Sequence, residues 1–265
     1  ADADADGGDV DSDDGDSDDG TPATSFGLTG NAYNPWTNEP AAAGLCVSAA
    51  DPSPALVGGD LAILATGLTG EEGSYELSGI ETASTLGIVV LVQDCPAEEG
   101  AEAISTMYPT GTGVSFETYG SLEDGEVAEA NPFQLMNDML GLIDASLTEV
   151  GHLDGEEGEP ATFTEQGGLL AFLLDGAGER VSGGTVACAA GWCPAYYNTQ
   201  AAVGGFSFMG NAGPGTETDL DGLAVLPGAP ITNYTAGHDV LTFDSQTMGS
   251  LPGVALFVSL TSDDI

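Results

Sequence analysis

The sequence predicts an all-β protein: two β-sandwiches in tandem, one amphipathic helix between them, and an extended acidic arm at the N-terminus. Three observations carry this. From Phe26 onward, short apolar runs alternate with Gly, Pro and Asn turns, with 40 glycines in all, which is the punctuation of packed β-strands. One motif occurs twice, once in each half of the chain. The first twenty residues, ADADADGGDVDSDDGDSDDG, contain ten aspartates. The expected organisation is an arm over 1–20, a first sandwich over 21–130, a helix with an acidic linker over 131–160, and a second sandwich over 161–265.

The arm comprises Asp2, Asp4, Asp6, Asp9, Asp11, Asp13, Asp14, Asp16, Asp18 and Asp19. Three Ala-Asp steps lead into the pentad Asp-Ser-Asp-Asp-Gly, which repeats at 11–15 and 16–20. In an extended chain, alternate carboxylates lie about 7 Å apart, closer than the Debye length of about 8–10 Å at ordinary salt. They repel, and the segment is disordered unless it gains counter-charge. The chain cannot supply that charge, because Arg180 is its only base. A basic partner is one source and divalent metal the simpler one. Calcium takes carboxylate, carbonyl and water oxygens, the donors that alternating Asp with Gly turns presents. Asp2-Ala-Asp4-Ala-Asp6-Gly7 matches the opening of an EF-hand loop and Asp13 falls at its twelfth position, but Val10 holds the ninth and no helix flanks it. The arm is more similar to the Asp-rich calcium segments of extracellular proteins such as thrombospondin type 3 repeats. The alternative is a solvated spacer of the kind salt-adapted proteins carry.

Forty-three acids against one base leave a net charge of −42. That excludes nucleic acid as an ordinary partner, since phosphate binding needs Lys and Arg, and equally excludes docking on an anionic membrane surface. Such a surface suits saline water, where ions screen self-repulsion. The longest apolar run, Gly87-Ile-Val-Val-Leu-Val92, falls far short of a membrane span. The chain starts with Ala rather than Met, which reads as a start after a processing site.

The repeated motif is G-x-x-V followed by T-x-x-(D/E)-G-x-x-x-L-x-G. Its first copy runs Gly44-Leu-Cys-Val47, then Thr69-Gly-Glu-Glu-Gly73-Ser-Tyr-Glu-Leu77-Ser-Gly79; its second runs Gly183-Gly-Thr-Val186, then Thr218-Asp-Leu-Asp-Gly222-Leu-Ala-Val-Leu226-Pro-Gly228. An acidic-Gly turn leading into an alternating strand is the physical reading. Each copy follows an opening strand, Gly27-Leu-Thr-Gly-Asn-Ala32 or Gly168-Leu-Leu-Ala-Phe-Leu-Leu174. These residues resemble the carboxypeptidase regulatory-like domain, over roughly 26–92 and 167–230. The resemblance implies a transthyretin-like, seven-stranded sandwich and a non-catalytic extracellular module, with no catalytic residues to carry over.

Residues 132–150 read as a helix, with Asn131 as N-cap, Pro132 in the first turn and Gly151 as its stop. Met136, Met139, Leu140, Ile143, Leu147 and Val150 share one face. That face either covers an open edge of the first sandwich or packs on a neighbouring subunit. The strand Pro252–Leu260 either completes the second sandwich or is lent to a neighbour's sheet. Cys46, Cys95, Cys188 and Cys193 allow three connectivities. Two cysteines lie in each half, so Cys46–Cys95 and Cys188–Cys193 are preferred, and disulfides imply an oxidising, extracellular address.

Signs of chemistry are few. His152 and His238 are the only histidines, and no nucleophile elbow, zinc helix or phosphate loop accompanies His238-Asp239. With no lysine, Schiff-base chemistry and Lys–Asn cross-links are excluded. Glu71-Glu72, Glu98-Glu99 and Asp263-Asp264 read as solvated acids or extra calcium ligands. Trp36 and Trp192 fill the fold or form a sugar platform, and Asn233-Tyr-Thr235 is a glycosylation sequon. The chain is therefore expected to be no enzyme. The leading expectation is a secreted structural subunit that assembles with copies of itself into a calcium-stabilised filament or surface layer. The alternative is a monomeric adhesin or carbohydrate-binding module with the arm as spacer.

Overall fold

A computed structural model describes residues 25–81, 84, 86–95, 107–149, 162–191, 193–198, 208–210, 217–218 and 222–262. The aspartate arm, His152, Trp192, the acidic loop 153–159 and the pairs Glu98-Glu99 and Asp263-Asp264 lie outside the described residues. The strands of the first half are β1 (Phe26–Asn31), β2 (Cys46–Asp51), β3 (Ala62–Leu68), β4 (Ser74–Ile80), β5 (Ile88–Gln93), β6 (Met107–Tyr108), β7 (Thr110–Val114), β8 (Val127–Glu129) and β9 (Leu135–Met136). Those of the second half are β10 (Gly168–Leu174), β11 (Thr185–Cys188), β12 (Tyr196–Asn198), β13 (Phe208–Gly210), β14 (Leu223–Pro227), β15 (Thr232–Gly237), β16 (Gln246–Met248) and β17 (Ala255–Thr261). Helices α1 (Phe116–Tyr119), α2 (Asn137–Glu149) and α3 (Phe163–Gln166) and two short 3-10 helices, Ser53–Val57 and Glu71–Gly73, complete the described elements.

A nine-stranded sheet, ordered β13-β12-β14-β10-β17-β7-β5-β2-β3, runs through both halves. Successive side chains on a strand face opposite ways, so each strand of this sheet feeds two cores. Val47, Ala49, Val90 and Val92 point to one face and pack with Leu28 and Leu77 under the sheet β4-β1-β8. On the opposite face, Leu91, Leu169, Ala224 and Leu256 pack with Val186 and Tyr234 of the sheet β11-β15-β16. A third core forms where Leu140, Ile143 and Leu147 of α2 cover Leu170, Phe172, Val225 and Phe257. The small sheets therefore sit on opposite faces of the shared one, and α2 fills the place beside the first.

The two motif copies fold alike, bond for bond. In the first, the Thr69 backbone N–H donates to Leu45 O and its carbonyl accepts from Gly44 N, while its hydroxyl accepts from Leu45 N and donates to Ala42 O. In the second, Thr218 does the same with Gly184 O, Gly183 N, Gly184 N and Val181 O. Both threonines are buried. Gly73 and Gly222 follow with φ of 70° and 60°, and a Cβ there would meet Ala32 O at 2.2 Å or Leu173 O at 2.8 Å. The left-handed backbone and the close approach together require glycine. Replacing Thr218 by valine leaves a buried N–H and carbonyl unpaired, at about 1–3 kcal/mol each. We expect T218V, and T69V equally, to lower the urea midpoint with an unchanged slope.

The likeness extends beyond the motif. β1, β2, β4, β5, β7 and β8 recur in the same chain order as β10, β11, β14, β15, β16 and β17. β1 pairs antiparallel with β4 and parallel with β8; β10 pairs antiparallel with β14 and parallel with β17. β2-β5-β7 and β11-β15-β16 are both antiparallel runs.

Three expectations differ from what forms. The helix begins at Asn137 rather than Pro132, because Leu135 is fully buried in a strand pair with Tyr108. The Asn131 carboxamide caps no helix; it accepts from Asn31 N and donates to Glu129. The helix covers more than an edge of the first half, since it packs on Leu170, Phe172, Val225 and Phe257 of the second half as well as on Tyr108 and Leu135 of the first. The C-terminal strand does more than close the second half, since β17 pairs parallel with β10 on one side and with β7 on the other. Residues 131–149 accordingly pack into the shared body, while 150–160 lie outside the described residues.

Candidate functional site

The chemistry present is that of a joint. At the seam between the halves, Ala255, Leu256 and Phe257 of β17 stand beside Thr110, Gly111 and Thr112 of β7. Gly111 is needed there, because a Cβ would meet Leu256 Cδ2 at 2.4 Å and Val89 Cγ1 at 2.8 Å. The hydroxyls of Thr110 and Thr112 accept from Leu135 N and Phe133 N, which straps the chain across the seam.

Over the seam lies an aromatic cluster drawn from both halves. Phe133 packs at 4.8 Å from Phe257 and 5.5 Å from Phe172, with Tyr33 at 5.0 Å from Phe133 and Trp36 at 6.0 Å from Phe257. The only base of the chain is spent here. The Arg180 guanidinium stands 3.6 Å from the Phe172 ring centre, and its Nη2 donates to Pro35 O at 3.4 Å. Partly desolvated, such a cation–π contact contributes about 1–2 kcal/mol. Burial pushes the Tyr33 phenol up, and the Arg180 charge offsets part of that. Trp36 thus packs, half-buried, against the seam. That Arg180 is unique was legible in the sequence; that it clamps an aromatic seam was not.

His238 is a loop staple. Its Nδ1 accepts from Val240 N and Leu241 N at 3.2 and 3.1 Å, which leaves Nε2 to donate to Ser182 O at 3.2 Å. Both ring nitrogens are engaged with backbone. Glu71 and Glu72 are exposed on a tight turn, with Glu72 at φ 58°. Asn233 is exposed on β15, and its Oδ1 accepts from the Thr247 hydroxyl.

The cysteines are bonded as Cys46–Cys95, with Cα atoms 4.9 Å apart, and Cys188–Cys193, at 6.1 Å. The first ties the start of β2 to the end of β5 across a separation of 49 residues, which in a chain-entropy account contributes about 4 kcal/mol. Among the described residues, no group of three or more His, Cys, Asp and Glu side chains stands close enough to hold a metal ion, and no helix is long and apolar enough to cross a membrane. The ten arm aspartates are not among them.

No protein-family model matches the chain, and neither does any curated protein. Among solved structures, it is similar to the shaft pilin SpaA from Lactobacillus rhamnosus GG, at 10% identity over 91% of this chain and 98% of that one, with a TM-score of 0.23. The Streptococcal ancillary pilin matches at 12% identity over 90% and 68%, with a TM-score of 0.24. The minor pilin of Streptococcus agalactiae matches at 8% identity over 91% and 96%, also at 0.24. Scores at this level establish neither family nor function, so the functional reading rests on the chain's own residues.

Proposed function

We propose that this protein is a structural subunit of an extracellular filament or cell-surface assembly, stabilised by calcium bound to its aspartate arm. The observation that carries the reading is the seam. Two repeated units are fused edge to edge into one nine-stranded sheet, locked by an aromatic cluster and stiffened by two disulfides, which suits a body that transmits load. The disulfides also favour an oxidising, extracellular setting. The arm supplies ten carboxylates and no nitrogen or sulfur donor, a donor set that fits a hard, oxygen-seeking cation such as calcium. Asp2, Asp4, Asp6, Asp9, Asp11, Asp13, Asp14, Asp16, Asp18 and Asp19 would hold it. Bound calcium would offset their repulsion, and where it binds only the assembled state it favours that state by mass action.

The test is electron microscopy of native material before and after EGTA, with metal content assayed on the same sample. Calcium-rich filaments that dissociate on chelation are expected. Metal-free single particles at every calcium concentration would instead favour a monomeric adhesin with a spacer arm.

A further inference from the structure

The internal seam is a head-to-tail contact between two like units, and it leaves its counterparts free. On the first unit it uses β7, the end strand of β2-β5-β7; on the second it uses β17, the end strand of β14-β10-β17. The repeat makes β16 the second unit's equivalent of β7, and β8 the first unit's equivalent of β17. Both are end strands of their sheets, with no further strand beside them among the described residues. Resting on the filament reading, we infer that a second copy of this chain docks there, the β16 edge of one copy pairing in parallel with the β8 edge of the next. A heterologous contact of this kind passes from copy to copy, and generates an open polymer wherever its rotation does not close into a ring. Each intermolecular joint then repeats the one inside the subunit.

The repeat also sets the register. Thr112 pairs with Val90 as Gln246 pairs with Tyr234, so Thr112 corresponds to Gln246, the first residue of β16, and Thr110 and Gly111 correspond to Asp244 and Ser245, which lead into it. Gly27 stands beside Val127 in β1-β8, as Gly168 stands beside Ala255 in β10-β17. Val127, Ala128 and Glu129 therefore correspond to the three β17 residues of the seam. Val127 meets Asp244, Ala128 meets Ser245, and Glu129 meets Gln246. Val127 is 52% exposed, and Asp244, Ser245 and Gln246 are exposed as well.

Glu129 and Asp244 become diagonal neighbours, roughly 7–8 Å apart, inside one Debye length at ordinary salt. Where the internal seam is apolar and permanent, this one carries two like charges. It forms when cations screen them and loosens when they are withdrawn.

The test uses the full chain. Val127→Cys protein is mixed with Asp244→Cys protein under mild oxidation, at high salt with calcium, beside each variant alone. Disulfide-linked dimers in the mixture, well above either variant alone, are expected; links formed equally well by single variants would overturn the inference. V127P is the second variant. Gly27 N donates to Glu126 O and Ala130 N to Thr29 O, so the alternation of a parallel pair turns the N–H of Val127 away from β1. Proline at an edge is tolerated by the fold, so V127P should keep its melting temperature and raise the critical concentration for filaments by about tenfold or more. Asp244→Asn should lower the salt needed. Filaments that form normally in V127P without mixed cross-links would overturn this joint and leave the filament reading standing. A failure to assemble in any salt or calcium would overturn both.

Discussion

Phe257→Ala is expected to cost about 3–5 kcal/mol, the range for emptying a large aromatic from a packed core. Phe257 is fully buried and touches Phe133, Phe172 and Trp36. Phe172 in turn carries Arg180. The cluster draws one wall from each half, so the cavity cannot collapse without moving the strap over β7. For a domain of this size the melting temperature should fall by roughly 10 °C. Calorimetry distinguishes two outcomes. A single transition, displaced as a whole, means the seam couples the halves. A split into two transitions, one unmoved, would show the halves to be independent and would contradict the seam as the core of the molecule.

Raising the pH should unfold the protein between about pH 10 and 12. The hydroxyls of Tyr75, Tyr108, Tyr119 and Tyr234 donate to the carbonyls of Ala130, Thr164, Ser84 and Pro230 respectively. Burial pushes Tyr108, Tyr119 and Tyr234 up to about 12, with Asp144 adding to the first and Asp51 to the second. Burial, then the Glu129 charge, raises Tyr75 further still. The unfolded chain releases these protons near pH 10 while the folded chain keeps them, so above pH 10 the unfolded state binds fewer protons and stability falls with pH. The stabilisation is complete below pH 10 and lost as pH passes the folded values. Phenolate absorbance near 295 nm and circular dichroism should change together. Tyrosines that ionise well before the strands are lost would show the hydroxyls to be dispensable.

Local chemistry was legible from the chain alone. The Thr-acid-Gly turns announced themselves because Gly73 and Gly222 hold backbone that other residues resist, and the same four bonds at Thr69 and Thr218 make the repeat physical. Apolar runs bounded by turns identified the opening strand of each half, the strand after each turn and the C-terminal strand, although β5, β10 and β14 are buried along nearly their whole length and do not alternate. The segment 132–136 misled because its apolar spacing suits a helix, while a partner strand at 107–108 draws Leu135 into a pair instead. A two-residue strand carries no periodicity to read.

What composition decides is the electrostatic character: one base among 43 acids disfavours nucleic acid and anionic membrane surfaces as partners. What only tertiary packing decides is how the two units meet. Nothing local marks Thr110–Thr112 or Ala255–Phe257 as partners, because a parallel pairing between strands so far apart in sequence is selected by the cores on both faces of the sheet. The face toward Val186 and Tyr234 and the face beneath α2 must close together, and a one-residue slip of β17 against β7 would turn its side chains to the wrong faces.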